Sequence, residues 1–143
     1  MQIIGRREFV DFPQLNLFGL EAKVDTGAYT ASLHCHDIEE SNENGEKILH
    51  FKLLDPDHPE YNEQNYSAKE FTRKKIKNSF GESEERFVIK TKIVLGRKKI
   101  KCSLSLTNRG NMRFPVLIGR KLLKGKFLID VNKIHTAQRS SLI

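Results

Sequence analysis

Leu20-Glu21-Ala22-Lys23-Val24-Asp25-Thr26-Gly27-Ala28 is the stretch on which the reading of this chain turns. The half-apolar run from Leu20 to Val24 reads as a strand, and it ends on a carboxylate followed by two small residues. Thr26 offers a compact hydroxyl that can be buried with its hydrogen bonds satisfied. Gly27 lets backbone approach the Asp25 carboxylate with no Cβ in the way. Such a carboxylate becomes useful for hydrolysis when a second one faces it. The two then share one proton, so that one activates water as a base and the other polarises the carbonyl as an acid. The triplet alone decides nothing, because Asp before Gly also makes tight turns in which the carboxylate accepts local backbone hydrogen bonds.

Outward from this stretch the apolar rhythm has mostly period two. Ile48, Phe51 and Leu53 follow a turn at Asn44-Gly45, and residues 87–95 and 100–106 alternate as half-buried strands do. Turns at Asn44-Gly45, Gly96 and 109–111 join these runs over short spacings, which favours antiparallel hairpins over crossover helices. The fold class expected is all-β, mainly antiparallel, either a small closed barrel or a folded sheet. One short helix is expected over 119–124, ended by Gly125 in a left-handed cap, with a strand after it at 126–131. Residues 55–67 hold two prolines, two tyrosines and no sustained period, and read as an exposed loop. Residues 132–143 read as a loose tail beyond a single domain over 1–131.

At 143 residues the chain is long enough to bury a core without staples. Its 38% hydrophobic and 30% charged content, with no long apolar stretch, describes a globular protein rather than a membrane-spanning or disordered one. Residues 1–7 lack the apolar core of a secretory signal, which points to the cytoplasm. Cys35 and Cys102 are too few for a disulfide framework and read as reduced structural thiols. The net charge of +7 is concentrated in Arg73-Lys74-Lys75-Ile76-Lys77 and Arg97-Lys98-Lys99-Ile100-Lys101, whereas 37–63 is acidic. Such clusters protect exposed strand edges or bind an acidic peptide or phosphate. No aromatic interleaving or helix-turn-helix pattern accompanies them, which disfavours nucleic acid.

A second motif lies about ninety residues after the first. Val116-Leu117-Ile118-Gly119-Arg120-Lys121-Leu122-Leu123 resembles the segment near the carboxyl end of retropepsins, where a buried strand leads into a helix beneath the active site. Between the two motifs, residues 76–82 resemble the retropepsin flap, and Asn78, Ser79 and Gly81 have the turn chemistry of a hairpin tip. Over roughly residues 3–131 the chain is similar to a narrower group, the bacterial retropepsin-like domain known as ATP-dependent zinc protease or RimK-associated protease. The resemblance rests on Ile4-Gly5-Arg6-Arg7-Glu8, residues 22–28, Ser32-Leu33-His34, Thr107-Asn108-Arg109, Met112-Arg113-Phe114-Pro115 and Leu117-Ile118-Gly119-Arg120. It implies a retropepsin-type fold, Asp25-Thr26-Gly27 as the catalytic loop, and a genomic tie to ATP-grasp ligases that add amino acids, notably glutamate. Ala28, Tyr29, Ser79, Phe80 and Gly81 become candidate substrate contacts. Where relatives have Arg after the Asp-Thr-Gly-Ala run, this chain has Tyr29, which removes a cation from the presumed groove.

Only one such triplet occurs, so a complete pair of carboxylates requires two copies of the chain. The enzyme reading is therefore an aspartic-type endopeptidase acting as a homodimer on peptide or isopeptide bonds. The competing reading is a catalytically silent module that binds a ligase or an acidic peptide. No cofactor is expected. His34, Cys35, His36 and Asp37, with His50 nearby, fall short of a closed zinc set, so no metal is assigned, and no phosphate-binding Gly-rich loop is present for ATP.

Overall fold

The computed structural model describes residues 1–54, 58–59, 61, 63–77, 80–108 and 113–137. The strand that carries the Asp25 motif, β3 (Leu17–Val24), lies in a closed ring with β2 (Arg7–Phe12), β8 (Ser83–Leu95), β9 (Lys98–Thr107), β4 (Ala31–Glu43) and β10 (Val116–Ile118). Around the ring β3, β2, β8 and β9 pair antiparallel in succession, β9 meets β4 in parallel, and β10 closes the circle between β4 and β3. The all-β barrel is thus as expected, but the β3–β10 and β4–β9 pairs are parallel.

Alternation along each strand fills the ring. Val10, Phe12, Leu20, Leu33, Ile93, Leu95, Leu104 and Ile118 are fully buried in one apolar cluster. Truncating one of the large aliphatics to Ala costs about 2–5 kcal/mol, since a packed interior relaxes only partly. β4 is long enough to leave the ring. It turns back as β5 (Glu46–Leu53), which pairs with β6 (Asn65–Ala68). Asn44 and Gly45 both have positive φ, 53° and 82°, the geometry a two-residue hairpin needs to match strand twist. A second ribbon stands off the barrel, where β7 (Thr72–Lys77) pairs antiparallel with the first half of β8.

The loop expected over 55–67 lies partly outside the described residues, and its far end, 65–67, belongs to β6. The helix is α1 (Arg120–Leu123), followed by Gly125 at φ 76°, and the strand after it is β11 (Phe127–Ile129), shorter than expected. β11 pairs in parallel with β1 (Gln2–Ile4) to form a small separate sheet. The tail differs from expectation over residues 132–137. Lys133 O accepts from Arg6 N at 2.9 Å, and His135 N donates to Arg7 O at 2.9 Å. Its cause is Glu8, buried on β2, whose carboxylate accepts Gly5 N, Ala137 N and Thr136 N at 2.6, 3.1 and 3.4 Å. The turn at 109–111 falls outside the described residues. Among the described residues no helix is long and apolar enough to cross a membrane.

Candidate functional site

β3 ends at Val24, and the chain leaves it through a turn at 25–28 that β10 and α1 hold in place. Asp25 N donates to Ile118 O at 2.9 Å, extending the β3–β10 ladder by one bond. Ala28 N returns to Asp25 O at 3.2 Å, and Gly27 N donates to the Asp25 carboxylate at 3.0 Å. From the other side Arg120 N and Lys121 N donate to Ala28 O and Tyr29 O, each at 2.9 Å. The Arg120 guanidinium donates to Thr26 O at 2.7 Å and lies 5.8 Å from the centre of the Tyr29 ring. Gly119 makes this fit possible. A Cβ there would stand 2.5 Å from Tyr29 O and 2.6 Å from Tyr29 C. The two motifs separated by about ninety residues are therefore one backbone unit, with Asp25 half-buried at its tip.

Asp25 opens onto a groove of about 540 Å³. Gly27, Ala28, Tyr29 and Thr30 line it together with Lys74, Lys75, Ile76 and Lys77 of β7. Ser32 of β4, Val88 of β8, Ser103 of β9 and Leu117 of β10, with Arg86, Arg120 and Lys121, complete the lining. Among the described residues six lining side chains are cations and one, Asp25, is a carboxylate. In so one-sided a cleft the field favours an anionic ligand. Arg86 is buried and pairs with Glu84 at the surface.

The expected site residues divide accordingly. Asp25, Gly27, Ala28 and Tyr29 meet in the groove. Thr26 is exposed in the single chain. The β7–β8 ribbon has the hairpin form of a flap, with Gly81 at φ 82° and Phe80 90% exposed at its tip, and neither lines the groove. Ser79 lies outside the described residues. Sequence reasoning passed over Arg86, Ser32 and Ser103. Arg86 looks like any charge on an alternating strand, and it is its pairing with Lys74 across the β7–β8 ribbon that sets it among the groove residues.

The histidines do not converge. His36 Nδ1 meets Leu54 O at 2.7 Å, while His50 Nε2 meets Ser41 Oγ at 3.0 Å. Among the described residues no group of three or more His, Cys, Asp and Glu side chains is placed to hold a metal ion. Burial raises the Cys102 thiol to about 12 and raises Cys35 further, so neither is a ready thiolate nucleophile.

Comparison with known proteins gives a consistent result. A family model described as RimB-like, retropepsin-like aspartic endopeptidase RimB, matches residues 3–140. A probable alpha-L-glutamate ligase of Shewanella pealeana is 38% identical over 132 residues, 90% of this chain. One from Desulfotalea psychrophila is 35% identical over 133 residues. The chain spans 28% of the length of each of those two proteins. The crystal structure of a Legionella pneumophila protein of unknown function, 30% identical, superposes with a TM-score of 0.72 over 96% of this chain and 98% of that one. None of these descriptions carries the zinc or the ATP of the names met above.

Proposed function

The chain belongs to the RimB-like family of retropepsin-like aspartic endopeptidases, and from that premise we propose that it hydrolyses peptide or isopeptide bonds in acidic polypeptides, with Asp25 contributed by each of two copies. The observation that carries this reading is the groove, where Asp25 is the one carboxylate beside six lining cations. Glutamate-rich chains are the substrate that such a lining suits, and relatives named as glutamate ligases suggest where they arise, namely on products of an ATP-grasp ligase. Tyr29 in place of Arg does not empty the groove of positive charge, because Arg86, Arg120 and the β7 lysines supply it.

In the mechanism, the paired Asp25 carboxylates hold one proton between them. The ionised member takes a proton from water as the oxygen attacks the carbonyl carbon, and the protonated member donates to the carbonyl oxygen. The resulting tetrahedral adduct collapses as the amine leaves with a proton, and no covalent enzyme intermediate forms. The exposed Thr26 turn and the apolar side chains on the small β1–β11 sheet support the symmetric pairing. Ile3 and Leu128, partners in register, are 51% and 52% exposed, and Val131 beside them is 67% exposed. This sheet is tied to the Asp25 strand, since Val24 N donates to Arg6 O at 2.9 Å and the Arg6 guanidinium donates to Val131 O at 2.8 Å.

Asp25→Asn tests the reading. Purified variant and wild type are incubated with a glutamate-tailed peptide, and the products are followed by mass spectrometry. Loss of cleavage to background with unchanged circular dichroism is expected. Equal cleavage by the variant removes Asp25 from the mechanism. A wild type that binds the peptide as a monomer and leaves it uncut would instead be a binding module.

A further inference from the structure

The β8–β9 ribbon continues past the groove, and its outer face keeps the same charge. Ile89, Ile93 and Leu95 of β8 point into the barrel core, so Val88, Lys90, Lys92 and Val94 take the other face. Across the register they meet Ser105, Ser103, Lys101 and Lys99. Val88 and Ser103 line the Asp25 groove. One step further along, Lys90, Lys92, Lys101 and Lys121 line a second groove of about 340 Å³. It shares Ser103 and Lys121 with the first, and among the described residues no carboxylate lines it. Among the described residues none of these four lysines has an ion-pair partner. Four ammonium groups left without counter-charges, in a cleft that shares Ser103 and Lys121 with the cationic groove at Asp25, form a continuous cationic path.

We propose that Lys90, Lys92 and Lys101, with Lys121 at the junction, form an exosite that holds an acidic polypeptide segment beyond the part seated over Asp25. The inference rests on the peptidase reading given above and extends its substrate. Geometry favours an extended peptide. Lysines two residues apart on a strand repeat every ~6.8 Å, which is also the spacing of same-face carboxylates on an extended acidic chain. Nucleic acid is disfavoured, because no aromatic side chain lines the second groove to stack a base. The exosite explains how a groove with polar, solvent-facing walls can select long acidic chains. Screened surface charges are individually weak, and only a row of them, engaged together, discriminates.

The test compares wild type with a variant carrying Lys90→Gln, Lys92→Gln and Lys101→Gln together, none of which lines the Asp25 groove. Two oligoglutamate peptides are used. One has roughly four residues and fills only that groove, and the other has roughly twelve, about 40 Å when extended. The variant is expected to raise KM for the long peptide on the order of tenfold, with kcat and the short-peptide constants unchanged and the difference erased by added salt. Equal KM values for variant and wild type on the long peptide overturn the proposal, as does an equal rise on both peptides. If neither peptide is cut, the peptidase reading has failed, and the exosite is read by fluorescence anisotropy of the labelled long peptide. Tenfold weaker binding by the variant then supports it, and unchanged binding overturns it. Single-stranded RNA of matching charge is the competitor. RNA that binds the wild type more tightly than the peptide does, and loses that advantage in the variant, assigns the lysines to nucleic acid and overturns the proposal.

Discussion

Gly119→Ala strikes the joint between the two motifs, and its effect is calculable from the packing there. The new Cβ would stand 2.5 Å from Tyr29 O, 2.6 Å from Tyr29 C and 2.8 Å from Thr30 N. All three are backbone atoms, so none swings away as a side-chain end would. Clearing even 3.0 Å from Tyr29 O requires a retreat of 0.5 Å, the difference between 3.0 and 2.5. That carbonyl also accepts Lys121 N, and its neighbour Ala28 O accepts Arg120 N, each at 2.9 Å, so the movement loosens both bonds. Overpacking of this kind costs about 1–3 kcal/mol, or about 3–10 °C in Tm for a chain of this size. Asp25 is at the other end of the same turn, and a displacement approaching 1 Å lowers turnover by up to ~10²-fold. Differential scanning fluorimetry and kcat on a glutamate-tailed peptide measure the two effects. Gly45→Ala is the control. Its φ of 82° makes it strained, with no atom within 4 Å, so it should lower Tm and leave kcat alone. A Gly119→Ala protein with wild-type Tm and wild-type kcat would refute the idea that this contact sets the position of the Asp25 turn.

Buried groups supply three more expected outcomes. Glu8→Ala leaves the amides of Gly5, Thr136 and Ala137 without their acceptor. It should cost at least ~3 kcal/mol in a chemical-denaturation midpoint and open residues 132–137 to limited proteolysis, and an unchanged proteolytic pattern would count against the Glu8 anchor. Burial raises the Cys102 thiol from 9.0 to about 12, so native thiolate is about 10³-fold scarcer than in the unfolded chain. Iodoacetamide at neutral pH should label the denatured protein and spare the folded one. Because the unfolded thiols ionise near 9.0 while the folded ones do not, the stability present below that pH should be lost progressively as pH climbs from 9.0 toward 12. Stability that stays flat over that window would contradict the burial of both cysteines.

The hairpins were legible because their signals are local. Asn44-Gly45 can be read without knowing the rest of the chain, and so can the alternation either side of Gly96. The parallel pairs were not, since β4 meets β9 across about seventy residues and nothing in either strand names its partner. Glu8 illustrates a second limit. A glutamate within a strand reads as solvent-facing, and two of the donors that justify its burial sit near the far end of the chain. At the site, Asp25 and the Gly119-Arg120 segment were readable as a pair because each carries a specific pattern. Arg86 was not, because its surroundings come from the β7 ribbon.

Mixing wild type with Asp25→Asn at fixed wild-type concentration tests the pairing of the two carboxylates directly. If each active site needs Asp25 from both copies, random exchange into mixed dimers should halve the cleavage rate at equal amounts and cut it to roughly one-eleventh at a tenfold excess of variant. A rate that stays constant as the variant is added, tracking wild-type concentration alone, would show that one chain acts by itself and would contradict the account.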